Sequence, residues 1–504
     1  MPTYFMGIDN GGSMCKAVIF DAVGKEIASS SSRLKMITPQ AGFTERDMNE
    51  LWQLNCKVIK ETIVKSGLSA SDITGVACTG HGKGLYLWGK DDKPCYNGIV
   101  STDSRAWMYP EKWNADGTAD RVFKKTFQKI LACQPVSLLC WFKDNKPEIM
   151  SNIRWIFEVK DYIRFKLTDQ AFAEVTDYSG SNLLNIKEVR FDRELMAEYG
   201  LEDLFDALPP LKKSTDFCGS VSKRASDETG LKEGTPLAGG MFDIDACAIA
   251  MDIINEDKIC VIAGTWSINE YISKQPVVNK SVMMNSLYCI PGYYLIEECS
   301  PTSASNYEWF LELFLAEEKL RAKELNINVF QYCNELADKV AADEQNIIFL
   351  PYIFGSNYNP QAKAALVGLD SHHTRPQVIR AVLEGIVFCH MIHLEKLLAN
   401  RTKTESVRLA GGAANSLIWA QIFADVFKLP VEIIETKELG TLGCAMAAAV
   451  AAGVYRDLPE AAQNMVKVKC RIEPDPANIP IYEKKFALYK KVSATLEKVW
   501  RDFN

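Results

Sequence analysis

A strand, a short glycine turn and a second strand occur twice in this chain, once near the start of each half. That repetition limits the folds open to it. The first unit is the apolar run Tyr4–Ile8, a break at Asp9-Asn10-Gly11-Gly12-Ser13 and a second run, Ala17–Asp21. A further break at Val23-Gly24-Lys25 leads into Glu26–Ser31, so the start reads as hairpins. The second unit is Lys258–Ala263, Gly264-Thr265 and Ser267–Ser273. Helical spacing follows the first unit over 47–66, with Leu51, Leu54, Val58, Ile59 and Ile63 on one face, Asp47 placed to cap and Gly67 to stop. Ile73–Cys78 is the next strand. In the second half, Ser406–Leu409 reads as a strand ending in Gly411-Gly412. A helix over Ser416–Phe427, a strand at Val431–Ile434 and an alanine-rich helix over Thr441–Ala452 follow it. The chain reads as two α/β halves with a seam near 245–258. The stretch 150–235 is less regular and reads as an insertion or cap. Residues 482–502 read as an amphipathic helix with Tyr482, Phe486, Tyr489, Val492, Leu496 and Val499 on its apolar face.

Composition narrows the class. The chain has 504 residues, 47% hydrophobic and 24% charged, enough for two large folded domains. Its 57 Lys+Arg against 64 Asp+Glu give a net charge of −7, which argues against nucleic acid as a partner. The 15 cysteines show no CxxC spacing, and the closest pair is Cys133 and Cys140. Reduced thiols in a cytoplasmic protein are expected, not a disulfide framework or a structural zinc. The opening MPTYFMGIDNGG has no secretory pattern, and the apolar stretch 443–454 is short of the ~18–20 residues that cross a bilayer.

Five segments can carry chemistry, and each has a plainer reading beside it. Glycines at Gly11 and Gly12 would let backbone N–H groups approach phosphate, and the acid Asp9 could hold magnesium through water; an ordinary turn looks the same. Gly264-Thr265 repeats the arrangement with a hydroxyl, and two such turns could grip a polyphosphate between two domains. Gly411-Gly412-Ala413-Ala414-Asn415-Ser416 lies between strand and helix, where a nucleotide can pack or where a helix and strand simply meet closely; Ser416 is also a plausible N-cap. Asp243 and Asp245 follow the pair Gly239-Gly240 at the seam, a place suited to a general base. His81, Lys83, Asp103 and Arg105 lie on two polar segments that suit a polyhydroxylated ligand or, equally, solvated turns with a salt bridge. His372, His373, His390 and His393 read as packed or surface histidines.

Taken as a set, these segments resemble the FGGY carbohydrate kinases of the actin-like (ribonuclease H-like) ATPase superfamily. The most specific part is Ala364–Leu369, seven residues, then Gln377–Glu384, which fits the family's second signature. Cys133–Trp141 fits the first signature less well, with Leu138 where a lysine is usual. Within the family, Ala41–Met48, Gly82–Leu85, Gln134–Leu139, Gly240–Asp243, Ser300–Ser303 and Tyr307–Phe310 resemble the L-xylulose kinase type.

The resemblance implies two ribonuclease H-like domains with a cleft between them, 1–248 on the sugar side and 249–504 on the nucleotide side. It implies ATP and magnesium as cofactors, a small sugar as the other substrate, no membrane partner, and the dimer common in the family. It implies that Asp243 is the catalytic base and Asp9 the magnesium-linked acid. Gly11, Gly12 and Ser13 would line the first phosphate hairpin, Gly264 and Thr265 the second, and Gly411, Gly412 and Asn415 the adenosine site. His81, Lys83 and Asp103 fall at sugar-contact positions. The expected activity is ATP-dependent phosphorylation of a small ketose, L-xylulose first. The alternatives are another pentulose, a keto-hexonate, a polyol such as erythritol or glycerol, and a non-catalytic actin-like ATP-binding protein.

Overall fold

The computed structural model describes residues 3–356, 359–401 and 403–503. In the first domain the strands are β1 (Tyr4–Asn10), β2 (Met14–Asp21) and β3 (Glu26–Arg33), followed by helix α1 (Met48–Ser66) and β4 (Ile73–Gly80). A small pair, β5 (Tyr86–Gly89) and β6 (Ile153–Phe157), then leads to helices α2 (Val159–Thr168) and α3 (Val175–Ser179). Strands β7 (Phe217–Ser220), β8 (Pro236–Ala238) and β9 (Met241–Phe242) complete the sheet, and α4 (Asp243–Ala250) leaves it. The second domain holds β10 (Lys258–Ala263), β11 (Ser267–Ser273), β12 (Met284–Leu287), β13 (Tyr294–Ser300) and the long helix α5 (Arg375–Leu398). It ends with β14 (Ser406–Gly411), α6 (Leu417–Phe427), β15 (Val431–Ile434), α7 (Leu439–Ala451), β16 (Val468–Ile472) and α8 (Ile479–Leu496).

The two sheets share one plan. The first runs β7-β8-β4-β1-β2-β3, with β9 also on β4; the second runs β12-β13-β11-β10-β14-β15-β16. In each, a glycine hairpin (β1–β2, β10–β11) is antiparallel, and its first strand pairs in parallel with a later strand, β4 or β14. Asp47 caps α1 by accepting from the N–H groups of Asn49 and Glu50, and Gly67 ends it at φ 68°.

Three details differ from the sequence reading. Asp9 and Asn10 lie inside β1, opposite Lys16 and Cys15 of β2 and Thr79 and Gly80 of β4. A central strand paired on both sides keeps its ladder through polar residues, so the first turn is only Gly11–Ser13. The cap is displaced from 150–235: its apolar core reaches from Leu85 to Leu208, with Tyr109, Trp113, Val136, Leu139, Ile156 and Tyr178, while β7 belongs to the first sheet. The last helix stops at Leu496, and Val499 is left 37% exposed beside the buried Trp500.

The domains share a core made by exchanged helices. Helix α7, which follows a strand of the second sheet, packs on β1 and β4 of the first and crosses α4. The crossing depends on Gly443, where a Cβ would stand 2.3 Å from the carbonyl oxygen of Ala246. Around it, Phe5, Val18 and Ala77 of one sheet meet Cys260, Ile272 and Leu295 of the other. Helix α5 is long and apolar enough to cross a membrane by length and composition, but 83% of that window is buried inside the protein. All fifteen cysteines are free thiols.

Candidate active site

The first hairpin is held from beneath. Arg46, 2% exposed, donates to the carbonyl oxygens of Gly11 at 3.3 Å and Gly12 at 2.6 Å. Asn10 accepts from Asn55 at 2.7 Å through its side chain and from the His81 N–H at 3.0 Å through its carbonyl. Gly12 and Ser13 are exposed at the tip, and a Cβ on Gly12 would meet nothing within 4 Å. The turn therefore presents free backbone outward while its inner face is fully engaged.

Asp9 lies against the second domain's helix. A Cβ at Gly440, in the first turn of α7, would stand 3.2 Å from Asp9 Oδ2. Asp9 Oδ1 is buried with no hydrogen-bond partner. Burial pushes its carboxyl up to about 6, against the pull of Lys16, with Glu438 adding to the rise. Lys16 and Glu438 themselves pair at 2.6 Å, joining the first hairpin to the residue that precedes α7.

The polar loop after β4 carries His81 and Lys83. His81 is buried, with Nε2 3.0 Å from the Tyr86 hydroxyl, and burial together with Arg46 holds it neutral, down at about 3. Lys83 adopts φ 63°, a left-handed conformation uncommon for a residue other than glycine, and its ammonium lies 5.6 Å from the centre of the Phe242 ring. Burial works against its charge, but Glu297, Cys299, Cys133 and Asp243 outweigh that and hold the ammonium above the usual lysine range. Lys83 thus reaches from the first domain towards β13 of the second.

Asp243 is the first residue of α4 and is half-buried. Its approach is fixed by two bonds: the Phe242 N–H donates to Thr176 Oγ1 at 2.9 Å, and Thr79 Oγ1 donates to the Met241 carbonyl at 2.8 Å. Burial, then the carboxylates of Asp9 and Asp177, push Asp243 well above the ordinary range, while Lys83 pulls it back. A carboxyl so placed takes up a proton more readily than an ordinary aspartate. The structure thus brings Asp9, Lys83 and Asp243 within electrostatic reach of one another.

Asp103 stands apart from them. Arg105 Nε reaches both of its oxygens, at 2.9 and 3.0 Å, Arg105 Nη2 reaches Oδ2 at 2.8 Å, and the Thr44 N–H donates to Oδ2 at 2.7 Å. Arg105 in turn donates to Glu45 at 2.7 Å and stacks 4.0 Å from the centre of Phe43. With the side chains of Asp103 and Arg105 both fully buried, this pair braces the loop.

The second hairpin meets the Gly411 turn directly. Gly411 has φ 83°, and a Cβ there would stand 2.4 Å from the Ala263 carbonyl oxygen, so only glycine lets β14 end against β10 in this way. Ser305 Oγ donates to the Thr265 carbonyl at 3.2 Å, and buried His390 joins Ser267 at 3.0 Å to Ser303 at 2.8 Å. Beside this turn, Gly412, Asn415, Ser416 and Gln421 line a cavity of about 1030 Å³ with Tyr307, Asn334 and Lys437. It is large enough for a nucleoside.

These two domains match known ones over almost the whole chain. Residues 4–250 match the N-terminal domain of the FGGY family of carbohydrate kinases, and 259–452 match its C-terminal domain. The chain belongs to the FGGY family. It is 33% identical to the L-xylulose/3-keto-L-gulonate kinase of Escherichia coli (strain K12) over 498 residues, 99% of this chain and 98% of that one. It is also 33% identical over 498 residues to the probable L-xylulose kinase of Pasteurella multocida (strain Pm70), 98% of this chain and 99% of that one. Among solved structures, the ligand-bound xylulose kinase of Lactobacillus acidophilus superposes with a TM-score of 0.90 at 25% identity, with 100% of each chain covered. The protein is an ATP-dependent sugar kinase with two α/β domains of the actin-like ATPase fold.

Sequence reasoning passed over Arg46 and the buried acids Glu158 and Asp177. Arg46 sat within a segment that resembled the family, but its partners are 34 and 35 residues away. The run of three charges Glu45-Arg46-Asp47 was the one local signal.

Proposed function

We propose that this FGGY kinase phosphorylates a hydroxyl of a small ketose, with L-xylulose the first candidate. The observation that carries the reading is Asp243, held at the start of α4 with its carboxyl pushed well above the usual range beside Lys83. Relatives named for L-xylulose that match over nearly the full chain support the substrate.

Asp243 accepts the proton of the attacking hydroxyl. His81, kept neutral, and Lys83 hold the sugar, and Asp103 ties the 101–105 loop to Thr44 and, through Arg105, to Glu45. The exposed backbone of Gly11, Gly12 and Ser13 on one side, and of Gly264 and Thr265 on the other, faces the phosphates. Gly412 and Asn415 line the adenosine cavity, and Gly411 precedes them at the end of β14. The unpartnered Oδ1 of Asp9 fits a hydrated magnesium ion, which when bound offsets phosphate charge. Residues 1–248 then serve the sugar and 249–504 the nucleotide. The protein's own contribution is positioning, charge and exclusion of water.

A coupled kinase assay over L-xylulose, D-xylulose, L-ribulose, erythritol and glycerol tests this reading. L-Xylulose should give the highest kcat/KM. Glycerol or erythritol leading the series would overturn the ketose assignment. Tight ATP binding with no turnover of any sugar would point to a non-catalytic ATP-binding protein.

A further inference from the structure

Two buried carboxyl groups beside the sugar loop have no place in the mechanism above. Glu158 stands between β6 and α2, at the position from which an acid commonly caps a helix, yet its side chain accepts none of the α2 N–H groups. It is 1% exposed, and neither oxygen has a hydrogen-bond partner. Asp177, in α3, is also 1% exposed; Lys160 Nζ stands 3.5 Å from its Oδ2, and neither of its oxygens has a hydrogen-bond partner among the described residues.

The local cation is already shared out. Lys160 Nζ donates to Asp161 at 3.0 Å and stands among Glu174 at 3.3 Å and Asp177 at 3.5 Å, so one ammonium serves three carboxyl groups. Arg164 is committed to Asp161 at 2.8 Å and to the carbonyl oxygens of Gly239 and Phe172. Glu158 is left with neighbours but no bond. Burial, then Asp177 and Asp161, push its carboxyl well up, and Lys160 and Lys83 act the other way. A Cβ on Gly80, next to His81, would stand 2.5 Å from Val159 Cγ1, and Thr176 Oγ1 accepts from the Phe242 N–H at 2.9 Å, so the residues beside Glu158 and Asp177 touch the neighbours of His81 and Asp243.

A buried acceptor with no partner is costly, and natural folds seldom keep one unless a ligand completes it. We propose that Glu158 and Asp177 form the specificity wall of the sugar subsite, hydrogen-bonding the hydroxyls of a neutral sugar and turning away sugars that carry a carboxylate. This rests on the ketose reading and narrows it. A hydroxyl both donates and accepts, so it satisfies either acid whether or not the acid is ionised. An acid sugar would bring a carboxylate into the place where burial already disfavours the ionised forms of Glu158, Asp177 and Asp243, with little water to screen it.

The test is steady-state kinetics of the full-length enzyme with L-xylulose and 3-keto-L-gulonate, for the parent, Glu158→Gln, Glu158→Met and Asp177→Asn. Both Glu158 variants should raise the ketose KM by about tenfold or more with the ATP KM within about twofold. The ratio of kcat/KM should move by about tenfold towards the acid sugar. Glu158→Met replaces a buried, unpartnered carboxyl by an apolar side chain of similar length and should melt at or above the parent's temperature, so lost sugar affinity in that variant cannot be put down to unfolding. An unchanged ketose KM in both Glu158 variants overturns the proposal. So does a Glu158→Met protein that loses stability and ATP affinity together, which would make the acid a structural brace. If the parent turns over another sugar but no ketose, the substrate reading fails and the wall is judged on that sugar by the same KM criterion. A parent that turns over none overturns both.

Discussion

Arg46 Nη2 donates to the carbonyl oxygen of Gly12 across 2.6 Å, so a buried side chain from outside the sheet holds the tip of the first phosphate hairpin. Its Nη1 reaches Gly11 at 3.3 Å, and both carbonyls are thereby turned inward while the N–H groups are left to face a ligand. Arg46→Lys keeps the charge but loses the two-pronged geometry. We expect the ATP KM to rise by about tenfold and the sugar KM to change far less. Equal changes in both constants would mean that Arg46 supports the domain as a whole.

Gly12 has a different part. It is not in a left-handed conformation, and a Cβ there would point into open space. Gly12→Val should therefore fold with a melting temperature within a degree or so of the parent, as for surface changes of about ±0.5 kcal/mol. ATP affinity should still fall, because the side chain occupies the space through which phosphate approaches backbone. Calorimetry showing parental nucleotide affinity would reduce the turn to an ordinary hairpin.

The hairpins were legible because glycine between two apolar runs is a local signal. The ends of β1 and β4 were not. Asp9, Asn10 and Thr79 look like turn residues, and it is pairing on both sides that keeps them in strand. The cap core was hidden because its pieces are short and its contacts non-local, from Leu85 to Leu208. The most specific motif turned out to be structural in its polar part. Glu384 of the second signature accepts from Gln345, Arg380, Tyr482 and Lys485 and so fastens α5 to α8. Arg46 and Glu158 were illegible for the opposite reason: what marks them is the partner found or missing after folding, which no spacing records.

Asp103 tests the difference between touching a sugar and bracing its own loop. Its oxygens are already taken by Arg105 and the Thr44 N–H. Asp103→Ala leaves the buried Arg105 without its nearest carboxylate, a change that typically costs about 3–5 kcal/mol. A melting temperature lowered by several degrees, with the sugar KM raised as a consequence, is the expected result. A raised sugar KM at parental stability would instead place Asp103 in direct contact with substrate.

Asp243→Asn preserves shape and loses the ability to accept a proton. Turnover should fall by about 10²–10⁴-fold while ATP and sugar still bind. Binding is read by calorimetry and turnover by the coupled assay. Turnover within a few-fold of the parent would remove Asp243 from the role of base.

Glu270, on β11 and fully buried, provides a pH test read in stability instead of turnover. Burial, and then Glu297, push its carboxyl well above the usual range, although the Cys260 thiol beside it acts the other way. The unfolded chain releases this proton near pH 4.5, and the folded chain holds it to a higher pH. Between those two points the folded state binds more protons, so stability is full below pH 4.5 and declines as pH rises, by about 1.4 kcal/mol per unit. Glu270→Gln cannot ionise and lacks that decline. At pH 5 the two proteins should have similar denaturation midpoints, and at pH 8 the variant's should be the higher. The same fall from pH 5 to pH 8 in both would mean that Glu270 ionises within the fold without penalty.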